Sequence, residues 1–203
     1  MDWIRHNVTG IVLNGGQSRR MGRDKSALLI AGRPLIARVL DVLSELFDDI
    51  LVVGRPLPPS LLTRHAARGT RHVVDATPGA GPLGGIYTGL MAMTRPFAFL
   101  AACDMPCLDP AVIRRQLDLL LDGEADAVVP SWDGLWEPLH AVYSQDCLPA
   151  ARRQLESGDL RIRGFFDHVN VRFWDVRAEG ISPRSFTNVN TKSDLAALLG
   201  DEA

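Results

Sequence analysis

The feature that most constrains this chain is an alternation of short, β-branched apolar runs with helix-length amphipathic stretches along nearly its whole length. "VTGIVL" (residues 8–13) runs up to the pair Gly15-Gly16, and "DILVVG" (49–54) is closed by glycine and proline. Runs this short and this uniformly apolar predict strands buried on two faces. Between them, "RPLIARVLDVLSELF" (33–47) opens with Pro34 and sets Leu35, Val39, Val42, Leu43 and Leu46 at helical spacing. "RHVVDA", "PFAFLAACDMP", "DAVVP", "PLHAVYS" and "VNVRFWDV" read as further strands. "GPLGGIYTGLMAMT", "DPAVIRRQLDLLLDG", "QDCLPAARRQLESG" and "TKSDLAALLG" read as helices, with Asp109 and Thr191 as caps. The expected fold class is α/β, a mostly parallel sheet with helices on both faces and an antiparallel strand near the end. With 203 residues and no linker or repeat, the chain is expected to form one domain over 1–203, with its core at about 8–199.

Composition narrows the partners. The net charge of −2 gives no general affinity for nucleic acid or acidic membranes, so any phosphate binding has to be local. No run approaches the roughly 20 apolar residues of a membrane helix, and "MDWIRHNVTG" lacks a signal-peptide core. A cytoplasmic protein without membrane contact is expected. The predicted helices carry no apolar stripe left over for self-association, which favours a monomer. The three cysteines have no paired zinc spacing, and the five histidines do not cluster.

In parallel sheets ligands bind at the carboxyl ends of the strands, which directs attention to the loop after the first strand. "GIVLNGGQSRRMGRDK" (10–25) fits neither a P-loop nor the dinucleotide fingerprint. About twenty residues separate the strand from the helix at Pro34, a length that in a compact domain is usually functional. Gly15 and Gly16 allow close backbone approach to an anion, and Arg19, Arg20, Arg23 and Lys25 could neutralise a polyphosphate. A glycine turn followed by solvated basic residues is the competing reading. Asp75 and Asp104 end two strands that read as neighbours. Either could hold Mg²⁺ beside a phosphate, or simply form a turn. "GAGPLGGI" (79–86) suits either an anion at a helix N-terminus or tight helix–sheet packing. "TNVNT" (187–191) sets Asn188 and Asn190 two apart, on one side of an extended segment.

Taken in order, "IVLNGGQSRRMGRDK", "GPLGGI", "ACDMP", "EPLHAVY" and "NVNT" resemble the MobA-type molybdenum cofactor guanylyltransferases from Val8 to about Leu199. The resemblance implies a Rossmann-like, nucleotide-diphospho-sugar transferase-like fold that uses GTP and Mg²⁺ to attach GMP to molybdopterin, releasing pyrophosphate. It implies backbone contacts to the nucleotide from Leu13, Asn14 and Gly15, with Gly16 beside them. Arg20 and Lys25 would act on the triphosphate, Asp75 on the nucleotide, and Asp104 on the metal. Arg19, Arg161, Asn188 and Asn190 would lie on the molybdopterin side. Cofactor-insertion proteins and target molybdoenzymes are the implied partners. Two positions depart from the family pattern. Asn14 stands where alanine is usual, and Val53 where an asparagine often ends the second strand. A cytidylyltransferase is one alternative, against which the paired glycines of "LNGG" speak by resemblance, and the two departures keep open a second, a catalytically inactive GTP-binding protein. The first would prefer CTP; the second would bind GTP without releasing pyrophosphate.

Overall fold

The computed structural model describes residues 2–15, 29–30, 32–66 and 69–200. Helix α1 (Asp2–Asn7) leads into strand β1 (Val8–Asn14), and a small hairpin β2 (Leu29–Ile30) and β3 (Arg33–Pro34) precedes α2 (Leu35–Leu46). Then follow β4 (Asp49–Gly54), α3 (Pro59–Ala66), β5 (Thr70–Val73), α4 (Gly81–Ala92), β6 (Phe97–Ala102) and α5 (Pro110–Leu121). The second half holds β7 (Ala127–Trp132), β8 (Leu135–Trp136), β9 (His140–Ser144), α6 (Leu148–Glu156), α7 (Ile162–Phe166), β10 (Val171–Asp175) and α8 (Lys192–Gly200).

The main sheet has the order β10-β7-β9-β6-β1-β4-β5, with β8 paired to β7. Its central strands are buried on both faces, and successive side chains alternate between two cores. Val8 and Val12 of β1 enter one core with Ile36, Leu40, Leu43, Phe99 and Ile113. Ile11 and Leu13 enter the other with Leu83, Ile86, Tyr143 and Phe165. Helices α2 and α5 therefore cover one face, and α4, α6 and α7 the other. This two-sided burial is why the sequence runs are continuously apolar rather than alternating.

Two strands run against the rest: β9, in the sheet interior between β6 and β7, and the short β8 beside β7, while the last strand β10 runs parallel to β7. Only residues 133–139 separate β7 from β9, too few for the crossover that a parallel return requires. Helices α1, α3 and α7 were not read from the sequence. The last two are short and bury few side chains, Leu61 and His65 in α3 and Phe165 and Phe166 in α7.

Two caps match expectation. Asp109 accepts the N–H of Ala111 at 2.7 Å at the start of α5, and Thr191 Oγ1 accepts the N–H of Asp194 at 3.0 Å at the start of α8. Asp194 answers by accepting the N–H groups of Asn190 and Thr191, both at 2.8 Å, which completes a capping box.

Within "GAGPLGGI", Gly84 and Gly85 serve packing, whereas Gly79 and Gly81 have open space where a Cβ would stand. A Cβ on Gly84 would lie 2.5 Å from Thr77 Oγ1, one on Gly85 3.1 Å from Leu13, and one on Gly89 2.9 Å from Ile11. Helix α4 sits this close to β1 because Gly85 and Gly89 stand at the points of contact, between the buried Leu83, Ile86 and Leu90.

Candidate active site

The chain proceeds from β1 to β4 and β5 on one side, then returns through α4 to β6 on the other side of β1. That reversal opens a crevice between the carboxyl ends of β1 and β6, the usual ligand position in such sheets. Leu13, Asn14 and Gly15 lie at the end of β1, and Cys103 and Asp104 just beyond the end of β6. The two ends are joined by the Cys103 N–H donating to Leu13 O at 3.1 Å. Gly15 is exposed, with nothing within 4 Å of where a Cβ would stand.

Asn14 is buried, at 5% exposure. Its Nδ2 donates to Arg55 O at 2.8 Å, and its carbonyl accepts the Arg55 N–H at 2.8 Å. The polar side chain that departs from the family pattern is thus spent on pinning the end of β1 to the end of β4. Gly54 lies at this junction with φ +105°, and a Cβ there would come within 2.8 Å of Asn14 O.

Asp104 is held from behind. Its carbonyl accepts the N–H of Val189 at 2.8 Å, and Val189 is buried with Ile30, Leu35 and Leu198. Residues 16–28, which include Gly16, Arg19, Arg20, Arg23 and Lys25, lie outside the described residues. Both of their flanks are nevertheless placed: Gly15 opens at the crevice, and Ile30 packs on the residue bonded to Asp104.

Asp75 is not beside Asp104. Strands β1 and β4 lie between β5 and β6, so the two strand ends are on the order of 14 Å apart at ordinary strand spacing. The reversal at β1 separates elements that look adjacent along the chain. Asp75 Oδ1 accepts the N–H of Thr77 at 2.9 Å, Thr77 Oγ1 at 3.4 Å and Thr88 Oγ1 at 3.2 Å. It shapes the loop leading to α4, and a ligand contact would fall to its other oxygen.

The segment carrying Asn188 and Asn190 is anchored firmly. Ser185 Oγ accepts the Asp109 N–H at 3.1 Å and pairs with His140 Nε2 at 3.2 Å. Phe186 stacks on Trp132 and meets His140 edge-on. Asn188 Nδ2 donates to Glu137 Oε2 at 3.3 Å. Arg161 stands apart from this assembly: exposed, on the approach to α7, it pairs with Asp159, Nη2 to Oδ2 at 2.7 Å. That ion pair draws the Asp159 carboxyl down to about 2. A substrate phosphate at Arg161 would have to compete with Asp159.

Sequence reasoning assigned no role to Glu137, although it opens the motif "EPLHAVY". Burial raises its carboxyl above the usual range, hydrogen bonds from Leu139 and Asn188 counter that, and the charge of Asp104 raises it again. The same stretch borders a cavity of about 200 Å³ lined by Trp136, Pro138, Ile162, Arg163 and Phe166. Arg163 stacks over the Trp136 ring at 4.5 Å.

Two strand histidines are engaged by the fold. His72 Nε2 bonds Gly54 O at 2.8 Å. His140 is fully buried, its Nδ1 has no partner among the described residues, and burial pushes the imidazole down to about 3. Because the folded pKa is depressed, the stabilisation is present above the unfolded value of 6.5 and is lost as pH falls towards 3. Between pH 7 and pH 5 this group should cost about 2 kcal/mol of unfolding free energy. Reversible urea unfolding at the two pH values should show the gap shrinking by about that amount in His140→Phe. An unchanged gap would mean that the imidazole titrates normally in the fold.

The family model of the MobA-like NTP transferase domain matches residues 10–172. The molybdenum cofactor guanylyltransferase of Desulfosudis oleivorans is 38% identical over 192 residues, 93% of this chain and 92% of that protein. A probable molybdenum cofactor guanylyltransferase of Bacillus licheniformis is 36% identical over 188 residues, 91% of this chain and 93% of that one. Among solved structures, molybdopterin-guanine dinucleotide biosynthesis protein A of Archaeoglobus fulgidus superposes with a TM-score of 0.78 at 26% identity, covering 96% of this chain and all of that one. The 4-diphosphocytidyl-2C-methyl-D-erythritol synthase of Anaerococcus prevotii, at 14% identity and TM-score 0.69 over 97% of this chain and 99% of that one, shares the fold.

Proposed function

The chain belongs to the MobA-like NTP transferase family and is a nucleotidyltransferase, and on that premise we propose that it transfers GMP from GTP to molybdopterin with release of pyrophosphate. The observation that supports this reading is Asp104, an oxygen donor just beyond the end of β6, the strand paired with the one leading to Gly15. Its carbonyl accepts the N–H of Val189, clustered with Ile30 on the far flank of the basic segment 16–28.

The attacking group is the molybdopterin phosphate, which is ionised at neutral pH and needs no general base. An oxygen of that phosphate forms a bond to the α-phosphorus of GTP as the bond to the bridging oxygen breaks, and the electron pair leaves with pyrophosphate. Two polyanions must be brought together, so catalysis rests on positioning and charge neutralisation. Arg20 and Lys25 are assigned to the triphosphate and its departing pyrophosphate, with Arg19 nearer the acceptor. Gly15 and Gly16 bring backbone amides to the nucleotide, Leu13 and Asn14 supply main-chain contacts, and Asp75 borders it. Asn188 and Asn190 meet the molybdopterin, with Arg161 at the margin.

The donor chemistry at Asp104 is all oxygen and suits Mg²⁺, which binds through one or two carboxylates together with phosphate oxygens and water. Mg²⁺ held there would polarise the α-phosphate and offset charge on the leaving group. Among the described residues no three His, Cys, Asp or Glu side chains form a ready metal cage, so phosphate and water would complete the shell.

The deciding experiment is pyrophosphate release by the purified protein with Mg²⁺ and molybdopterin, comparing GTP, CTP, ATP and UTP. Release with GTP alone is the expected result. A preference for CTP would overturn the base assignment and keep the mechanism. GTP binding without pyrophosphate release from any nucleotide would replace the enzyme with a binding protein.

A further inference from the structure

We propose that Glu137 is a positioning residue that orients the side-chain amide of Asn188 beside Asp104, so that Asn188 presents its carbonyl oxygen to an N–H donor of the acceptor substrate. This rests on the reading above that Asn188 meets the molybdopterin, and it adds a residue and a polarity to that contact.

Glu137 is fixed through its backbone. Its N–H donates to Pro130 O at 3.0 Å, and its carbonyl accepts the His140 N–H at 3.2 Å. The carboxylate is then divided between two donors, Oε1 to the Leu139 N–H at 3.1 Å and Oε2 to Asn188 Nδ2 at 3.3 Å. Leu139 O accepts the Ala102 N–H at 3.0 Å at the end of β6, and Asp104 O accepts the Val189 N–H at 2.8 Å. Glu137, Leu139, Ala102, Asp104, Val189 and Asn188 thereby form one closed circuit of covalent and hydrogen-bonded links. Tyr143 reinforces it by donating its hydroxyl to Pro138 O at 2.8 Å.

The chemistry of the pair fixes direction as well as place. An ionised carboxylate only accepts, whereas an amide has a donating end and an accepting end. Facing Glu137, Asn188 must turn its NH₂ inward, which leaves Oδ1 on the opposite side of the amide. An acceptor held in this orientation favours a substrate edge rich in N–H groups, as in a reduced, amino-bearing heterocycle. A glutamine at 137 has nearly the same shape and still accepts from Leu139, but its second group can donate, so the Asn188 amide is free to reverse.

The test uses Glu137→Gln, Asn188→Ala and the double variant in the pyrophosphate-release assay, with melting temperatures recorded for each. Each single variant is expected to raise KM for molybdopterin about tenfold and to leave KM for GTP within about twofold. The double variant is expected to be no worse than the weaker single, because both changes remove the same contact. Normal molybdopterin KM in Asn188→Ala would overturn the placement of Asn188 itself. A raised KM in Asn188→Ala with none in Glu137→Gln, or additive losses in the double variant, would leave that placement standing and overturn the role of Glu137. An equal rise in both KM values would mark Glu137 as a general structural residue and overturn the proposal.

Discussion

Asp104→Ala is expected to lower GTP-dependent pyrophosphate release about a thousandfold, equivalent to about 4 kcal/mol of transition-state stabilisation, while the melting temperature stays within a few degrees of the parent. The two halves of this expectation have separate causes. The Asp104 carbonyl accepts the Val189 N–H, and that main-chain bond survives truncation of the side chain. The carboxylate also adds to the upward pressure on the Glu137 carboxyl, so removing it relieves a like-charge contact. On the proposed mechanism catalysis depends on the side chain, because two polyanions would meet at this point and the carboxylate would hold the neutralising cation. Steady-state rates at saturating Mg²⁺ and GTP, with a parallel thermal melt, check both halves. An active, stable variant would remove Asp104 from the centre of the mechanism.

Gly89→Val is expected to lower stability by about 2–3 kcal/mol, or about 6–10 °C in melting temperature for a domain of this size. Replacing a helical glycine would ordinarily help, since glycine costs about 1 kcal/mol relative to alanine in a helix interior. Here the new Cβ would stand 2.9 Å from two carbons of the Ile11 side chain, and Ile11 is fully buried in the core between β1 and α4. The helix would have to lift from the strand that leads to Gly15, and turnover should fall with stability. Ile11→Ala placed in the Gly89→Val background should recover part of the melting temperature by vacating the contested space. Full stability of Gly89→Val alone would mean that α4 is not seated against β1 as described.

Much of this architecture was legible along the chain, and the reasons are local. Strands β1, β4 and β6 announce themselves because both of their faces are buried, which makes their runs almost wholly apolar, with Thr9 the one polar residue inside β1. Helix α5 is readable from Asp109 and Pro110, whose capping chemistry acts within one turn. Asp104 was recognisable as a candidate because it ends a buried strand, and the carboxyl end of a strand is where such sheets bind ligands. Helix α7 escaped because five residues give too little periodicity to register.

The site was legible only in part. Asp75 and Asp104 look equivalent in sequence, each a carboxylate at a strand end. Their separation follows from strand order, which no local pattern encodes. The glycines of α4 equally suited a ligand or a close helix, and the positions of Ile11, Leu13 and Thr77 decided for packing at Gly84, Gly85 and Gly89. Asn14 looked like an intrusion into a nucleotide pocket until Arg55, forty-one positions away, was found to accept its amide proton.

By itself the sequence determined the α/β class, the order and two-sided burial of the core elements, and the delivery of Asp104 to a strand end. These follow from hydrophobic period and from caps and turns, which act over a few residues. Only the tertiary structure decided which strand ends are neighbours, that β9 runs against the others inside the sheet, and that Asn188 meets Glu137 across fifty-one positions. Those outcomes depend on which apolar faces cover one another and on which buried polar groups then find partners. Both are settled by the packing of the whole chain.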